Sequence, residues 1–213
     1  MSIKTVLLGG NRFSYHRLEK FGPYIGRMFD ETEISIRRTT DRDVLTDGTL
    51  ADVDVLLSAM TDNTLTDGQQ DALVDFVKAG GGFAGVHGAS CLQNREDEND
   101  DEPIPKLRDM LGGHFLGHPA RTNYRATVTN SFHPITSGLE SFHVWDEPYR
   151  VATDDDVNVL VRMDHPEFPD MPMVWVKSLG EGRVFYCSLG HDEHSLTNPS
   201  VAELYRRGVR WVG

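Results

Sequence analysis

The chain has 213 residues, enough to bury one sizeable core, and carries 33 acidic against 21 basic side chains, a formal net charge of -12. That excess of acid argues against nucleic acid and anionic membrane surfaces as partners, because both require clustered Lys and Arg. Two cysteines make no disulfide framework, no apolar stretch approaches the roughly 20 residues that span a bilayer, and Met1-Ser2-Ile3-Lys4 lacks the apolar core of a secretory signal, so a soluble cytoplasmic protein is expected.

Lys4–Leu8 reads as a compact strand closed by Gly9-Gly10, followed by a loop with Asn11, Arg12 and His16 and a helix ending near Phe29. Ile34–Ile36 and Asp54–Ser58 are the next strands. Thr66 and Gln69 have capping-box spacing, and Leu73, Val74, Phe76 and Val77 then recur at helical intervals until Gly80-Gly81-Gly82 stops the helix. The apolar run up to Gly85-Val86-His87-Gly88-Ala89 reads as a buried strand running sharply into another helix. Strands alternating with helices in this way indicate a parallel sheet covered on both faces. The density of carboxylates in the run Arg95–Glu102 predicts a solvated loop, and their lack of calcium-loop spacing argues against a cation site. Pro103 is expected to open a short helix through Leu111, and the glycine-flanked Gly112–Pro119 to form a loop. Tyr124–Val128, Val157–Val161, Met173–Val176 and Arg183–Cys187 are further strands, and Asn198-Pro199 starts a last helix as N-cap and first-turn residue. No second domain or internal repeat is visible, so one domain over 1–213 is expected.

The chemistry concentrates after strand ends, which line the ligand crevice in such sheets. His87 occupies the tip of the strand-to-helix turn, where many enzymes of this layout carry a nucleophilic Ser or Cys. Beside a helix N-terminus its imidazole is expected to stay neutral and to accept or donate a proton. His191 follows a strand in the same way, with Asp192 next to it as an orienting carboxylate. Trp145-Asp146-Glu147-Pro148-Tyr149 joins two acids, a phenol and an indole, a combination suited to sugars. Glu147 is the preferred catalytic carboxylate, with Asp146 and Tyr149 as contacts. Asn11, His16 and His118 are further substrate-contact candidates. No cofactor is required by these residues. A divalent metal is left open, with His114 and His118, four apart, as the first candidate ligands. Cys91 and Cys187 read as small buried residues. His133, in a turn, reads as mainly structural. Gly9-Gly10 lacks the rest of a dinucleotide fingerprint.

The ordered set Gly80–Ala89, Gly117-His118-Pro119, His133–Thr136, Asp146–Tyr149 and Gly182–Tyr186 leading to Ser188–Asp192 resembles the trehalose-utilisation (ThuA-like) family. That family is a branch of the class I glutamine amidotransferase-like superfamily. The resemblance implies a flavodoxin-like α/β three-layer sandwich with a mostly parallel central sheet and additional strands in the second half. It also implies a role in sugar metabolism, with His87, His118, Asp146, Glu147 and His191 as pocket residues. The superfamily's amidotransferases carry Cys where this chain has His87, so glutamine hydrolysis through a thioester is not expected. The resulting expectation is acid–base chemistry on a keto-sugar or keto-disaccharide (isomerisation, epimerisation or elimination), with His87, Glu147, His191 and Asp192 as catalytic residues. The alternatives are a non-catalytic sugar-binding or regulatory module and a metal-dependent sugar enzyme, its ion held by some of His87, His114, His118, Glu147 and His191. A small carbohydrate is the expected partner, and edge strands after Tyr124 leave a homodimer open.

Overall fold

The computed structural model describes residues 2–10, 13–61, 64–92 and 103–213. Its first half alternates β1 (Ile3–Gly9), α1 (Leu18–Arg27), β2 (Ile34–Thr39), β3 (Val55–Ala59), α2 (Asp67–Lys78) and β4 (Gly82–Val86). The second half is richer in strands. It runs α3 (Pro105–Leu111), β5 (Gly113–Gly117), β6 (Thr122–Val128), β7 (Phe142–Asp146), β8 (Arg150–Thr153), β9 (Asn158–Asp164), β10 (Met171–Leu179), β11 (Gly182–Cys187), α4 (Glu193–Leu196) and α5 (Pro199–Val212).

Nine strands form one sheet in the order β2-β1-β3-β4-β11-β10-β9-β6-β7, and β5 pairs with β8 apart from it. The pairings from β2 through β11 are parallel, and those from β11 outward to β7 are antiparallel. Alternate residues of each strand enter opposite cores. Leu7, Val55 and Leu57 pack with Phe21 and Ile25 of α1 and Leu204 and Val209 of α5. Val6, Leu8 and Leu56 pack with Leu73 and Val77 of α2 and Leu107 and Leu111 of α3. Helix, sheet and helix layers therefore follow from the strands' period of two. Among the described residues no helix is long and apolar enough to cross a membrane.

The local signals act where they were read. Thr66 Oγ1 accepts from Gln69 N at 3.3 Å, and Gln69 Oε1 accepts from Thr66 N at 3.1 Å, closing the capping box of α2. Asn198 caps α5 by accepting from Ser200 N at 3.0 Å. Three expectations change. The helix after Pro103 begins at Pro105, which occupies its first turn. The expected loop at Gly112–Pro119 contains β5, whose hydrogen bonds go to β8, a strand absent from the sequence reading. The helix expected after His87 is a single 3-10 turn, His87–Ser90. The acid-rich run falls outside the described residues.

Because four antiparallel pairings separate β11 from β7, β7 again runs in the direction of β11 and β4. In a flat sheet these two strands would lie roughly 19 Å apart. Yet the carboxylate of Asp146, at the end of β7, is 2.7 Å from Gly190 N in the loop just after β11. The antiparallel half curls back and that loop reaches out to meet it, so both halves end on one rim.

At the opposite rim β4 and β11 start in close contact with α2. A Cβ at Gly182 would lie 2.0 Å from the Val77 carbonyl oxygen and 2.4 Å from that of Gly81. Gly182→Ala is expected to cost about 1–3 kcal/mol, seen as a lower urea midpoint; an unchanged midpoint would contradict this register.

Candidate functional site

The site grows out of the tip of β4. His87 adopts φ 46°, a left-handed conformation uncommon for a residue with a Cβ. The turn leaves no room beside it. A Cβ at Gly88 would approach Thr61 Cγ2 to 2.2 Å, and Tyr186 donates its hydroxyl proton to the His87 carbonyl at 2.8 Å while lying 2.7 Å from Ser90 Oγ. The strained backbone is therefore held from two neighbouring strands. The imidazole is buried, and its Nδ1 stands 2.8 Å from the Ser188 carbonyl. A carbonyl only accepts, so Nδ1 carries a proton and Nε2 faces the cleft. There Nε2 lies 2.8 Å from the Tyr149 hydroxyl and 3.3 Å from Glu147 Oε2.

Asp146 assembles the opposite wall. Its fully buried carboxylate accepts from three backbone N–H groups, those of Glu147 (2.7 Å), Gly190 (2.7 Å) and His191 (3.3 Å). The Glu147 carbonyl accepts from Tyr124 Oη at 3.1 Å. Glu147 is thereby fixed on both sides, and its Oε2 collects three imidazoles. His191 Nδ1 is at 3.1 Å, His87 Nε2 at 3.3 Å and His118 Nε2 at 3.5 Å. His16, from the loop after β1, completes the cluster with Nε2 3.3 Å from His191 Nδ1.

Burial and neighbours set the charges. Burial, reinforced by His87 and His191, pulls the His16 imidazole down to about 3, so it is neutral. For His87 burial also pulls down, but the Glu147 and Asp146 carboxylates and the Ser188 carbonyl outweigh it and the net shift is upward. The direction is opposite to the one expected from a helix N-terminus. A one-turn 3-10 segment supplies little dipole, and two carboxylates supply more. Burial pushes the Glu147 carboxyl up, yet hydrogen bonds to His191 and His87 bring it well below the usual range. Burial pushes the Cys187 thiol up to about 12.

A cleft of about 250 Å³ opens above Glu147, lined in part by Phe13, Tyr15, Phe115, His118 and Tyr149. Phe115 leans on Tyr149 with ring centres 4.5 Å apart, and His118 stacks on Tyr149 at 5.6 Å. His87, Glu147, His191, His16, His118, Asp146 and Tyr149 thus converge. Asp192 does not orient His191. It caps α4 by accepting from His194 N at 3.0 Å and Ser195 N at 3.4 Å, and it pairs with Arg121 at 2.6 Å. Asn11 lies outside the described residues. The group with metal-ligand spacing among the described residues is His16, His87 and His191; of the expected ligands it keeps His87 and His191, leaves out His114 and His118, and adds His16. His133 packs on Trp211, 5.1 Å between ring centres, in keeping with a structural turn. Sequence reasoning missed Thr61, Tyr15 and Phe13 as cleft residues. Each follows the carboxyl end of a parallel strand, β3 or β1, and that position was the available signal.

An α/β sheet with a histidine at its sharp central turn, and acids and histidines on the same rim, defines the class. The chain matches the trehalose-utilisation family, ThuA, over residues 5–212, and it belongs to that family. A putative ThuA-like protein from Bacteroides uniformis superposes with a TM-score of 0.79 at 22% identity, covering 99% of this chain and 91% of that one. One from Parabacteroides merdae gives 0.78 at 15% identity, covering 100% and 90%. A cytoplasmic protein from Salmonella typhimurium gives 0.71 at 11%, covering 100% and 99%. Likeness at these identities concerns the fold. Among curated proteins, none matches this chain in sequence.

Replacing Asp146 by Asn turns one acceptor oxygen into a donor facing a backbone N–H. Asp146→Asn is expected to lower unfolding stability by about 1–3 kcal/mol in denaturant titrations; a loss below about 0.5 kcal/mol would show that the three bonds do not hold the rim together.

Proposed function

We propose that this protein is a carbohydrate-metabolising enzyme that moves a proton on the carbon beside a carbonyl of a keto-sugar or keto-disaccharide. The observation that carries the reading is Glu147, a fixed carboxylate at which three imidazoles converge within 3.1–3.5 Å beneath an aromatic-lined cleft. A carboxylate so placed can take a C–H proton while the electron pair of that bond moves onto the carbonyl oxygen, giving an enediolate. Imidazole donors beside the base then stabilise the negative oxygen. Return of the proton to the neighbouring carbon gives isomerisation, return to the other face gives epimerisation, and loss of a β-substituent with its bonding pair gives elimination.

The cleft supports a sugar as ligand. Rings such as those of Tyr15, Phe115 and Tyr149 cover the apolar face of a pyranose, and polar atoms of Glu147 and His118 are available to its hydroxyls. Its volume of about 250 Å³ is small beside the roughly 300–1,000 Å³ of pockets for drug-sized ligands. That size suits one sugar ring inside, with any second ring at the mouth. Trehalose utilisation, the description of the family, is in keeping with such a substrate.

The test is NMR in deuterium oxide with a panel of 3-keto-disaccharides and their unoxidised counterparts. Enzyme-dependent loss of a C–H signal beside the carbonyl is expected, slowed by roughly 10²–10⁴-fold in Glu147→Gln. Exchange within severalfold of normal in that variant would remove Glu147 as the base. Binding of sugar with no exchange would leave a sugar-binding module instead.

A further inference from the structure

Three imidazoles meet in this site in an arrangement that proton transfer alone does not require. The rings of His16, His87 and His191 stand at the corners of a nearly equilateral triangle, with centres 5.3, 4.9 and 5.3 Å apart. Each is edge-on to the other two, at interplanar angles of 80°, 74° and 73°. Each ring offers one nitrogen to the group, and those three nitrogens lie within 4.8 Å of one another. We infer that His16, His87 and His191 form a binding site for one divalent transition-metal cation of the Zn²⁺ type, with an open position directed at the cleft.

Ligands bound at 2.0–2.1 Å to a tetrahedral centre stand about 3.3–3.4 Å from each other. His16 Nε2 and His191 Nδ1 are 3.3 Å apart, the length of such an edge. Glu147 Oε2 lies at 3.3 Å from His87 Nε2 and 3.1 Å from His191 Nδ1, close enough to offset the ion's charge. One outer ring contact is of the right kind, while His16 Nδ1 is buried without a hydrogen-bond partner. His87 donates its other ring proton from Nδ1 to the Ser188 carbonyl at 2.8 Å, the backbone partner by which metal-bound imidazoles are usually oriented. The His191 backbone N–H is fixed by Asp146. A donor set of three imidazoles with one neighbouring carboxylate selects Zn²⁺, Co²⁺ or a similar ion over Mg²⁺ and Ca²⁺, which take oxygen ligands. Without an ion, one proton on His191 Nδ1 has two acceptors at contact, His16 Nε2 and Glu147 Oε2, and can serve only one of them well. The ion's use rests on the proton-transfer reading: at the open position it would take the substrate's carbonyl oxygen, leaving Glu147 to act on the neighbouring C–H.

The experiment titrates the full, chelator-treated chain with Co²⁺ and then Zn²⁺ in the absence of any sugar. One Co²⁺ per chain is expected, with the visible d–d bands of a histidine-bound ion, displaced by one equivalent of Zn²⁺. His16→Gln and His191→Gln should each weaken binding by roughly tenfold or more with an unchanged far-ultraviolet circular dichroism spectrum, and His194→Ala should leave it unaltered. Should a variant fail to fold, the unsubstituted chain still decides. Co²⁺ must shift or broaden the imidazole resonances of His16, His87 and His191 and leave those of His133 sharp. No saturable binding, or stoichiometric binding that survives both substitutions, would overturn the site. Metal binding without proton exchange on any keto-sugar would keep the site and remove the proton-transfer reading; full exchange by metal-free chain would keep that reading and remove the ion's use in it.

Discussion

The carboxylate of Asp146 joins two parts of the chain that secondary structure alone would leave apart. It sits at the last residue of an edge strand, and its three backbone partners belong to Glu147 and to the loop that follows the central strand β11. Burying a carboxylate is costly unless each oxygen is hydrogen-bonded, and here both are. The arrangement is therefore an all-or-none constraint. With it, Glu147 and His191 face each other at 3.1 Å; without it, neither the curl of the antiparallel strands nor the course of the loop fixes that distance.

A second constraint lies at the elbow. His87 holds a left-handed backbone that costs of order 1–3 kcal/mol, and the Tyr186 hydroxyl and the packing of Gly88 on Thr61 resist its relaxation. Strain of this kind keeps the imidazole standing above the sheet edge with Nδ1 tied to the Ser188 carbonyl. The two constraints meet because Ser188 and Gly190 belong to the same short loop, one end holding His87 and the other held by Asp146. Sheet, elbow and carboxylate are thus mechanically one unit, and the cleft forms where they close.

Much of this was legible in the residues, and the exceptions have physical causes. The parallel half, the capping box at Thr66 and the N-cap at Asn198 are local signals, and they act as read. The placement of His87 and His191 on one rim follows from β4 and β11 being parallel neighbours. β5 and β8 were hidden because their pairing is tertiary: glycines at 112, 113 and 117 signal a turn, and only the partner strand at Arg150–Thr153 makes an extended segment of them. Asp192 misled through adjacency. Next to His191 in sequence it looks like an orienting acid, but two backbone N–H groups of α4 and Arg121 claim it. The direction of the His87 shift could not be read either, because it depends on two carboxylates some sixty residues later in the chain. His16 was recognised as a site residue but not as part of a histidine triangle, since that needs the ends of β1, β4 and β11 on one rim.

The most direct measurement of the central claim, that the Asp146-held rim forms one reaction site around Glu147, is a crystal structure of Glu147→Gln with a 3-keto-disaccharide bound. The expected complex has the carbonyl oxygen among His16, His87 and His191, and a carbon beside the carbonyl about 3–3.5 Å from the residue 147 side chain. A sugar bound at another edge of the sheet, or bound in the cleft with its carbonyl turned away from residue 147, would contradict it.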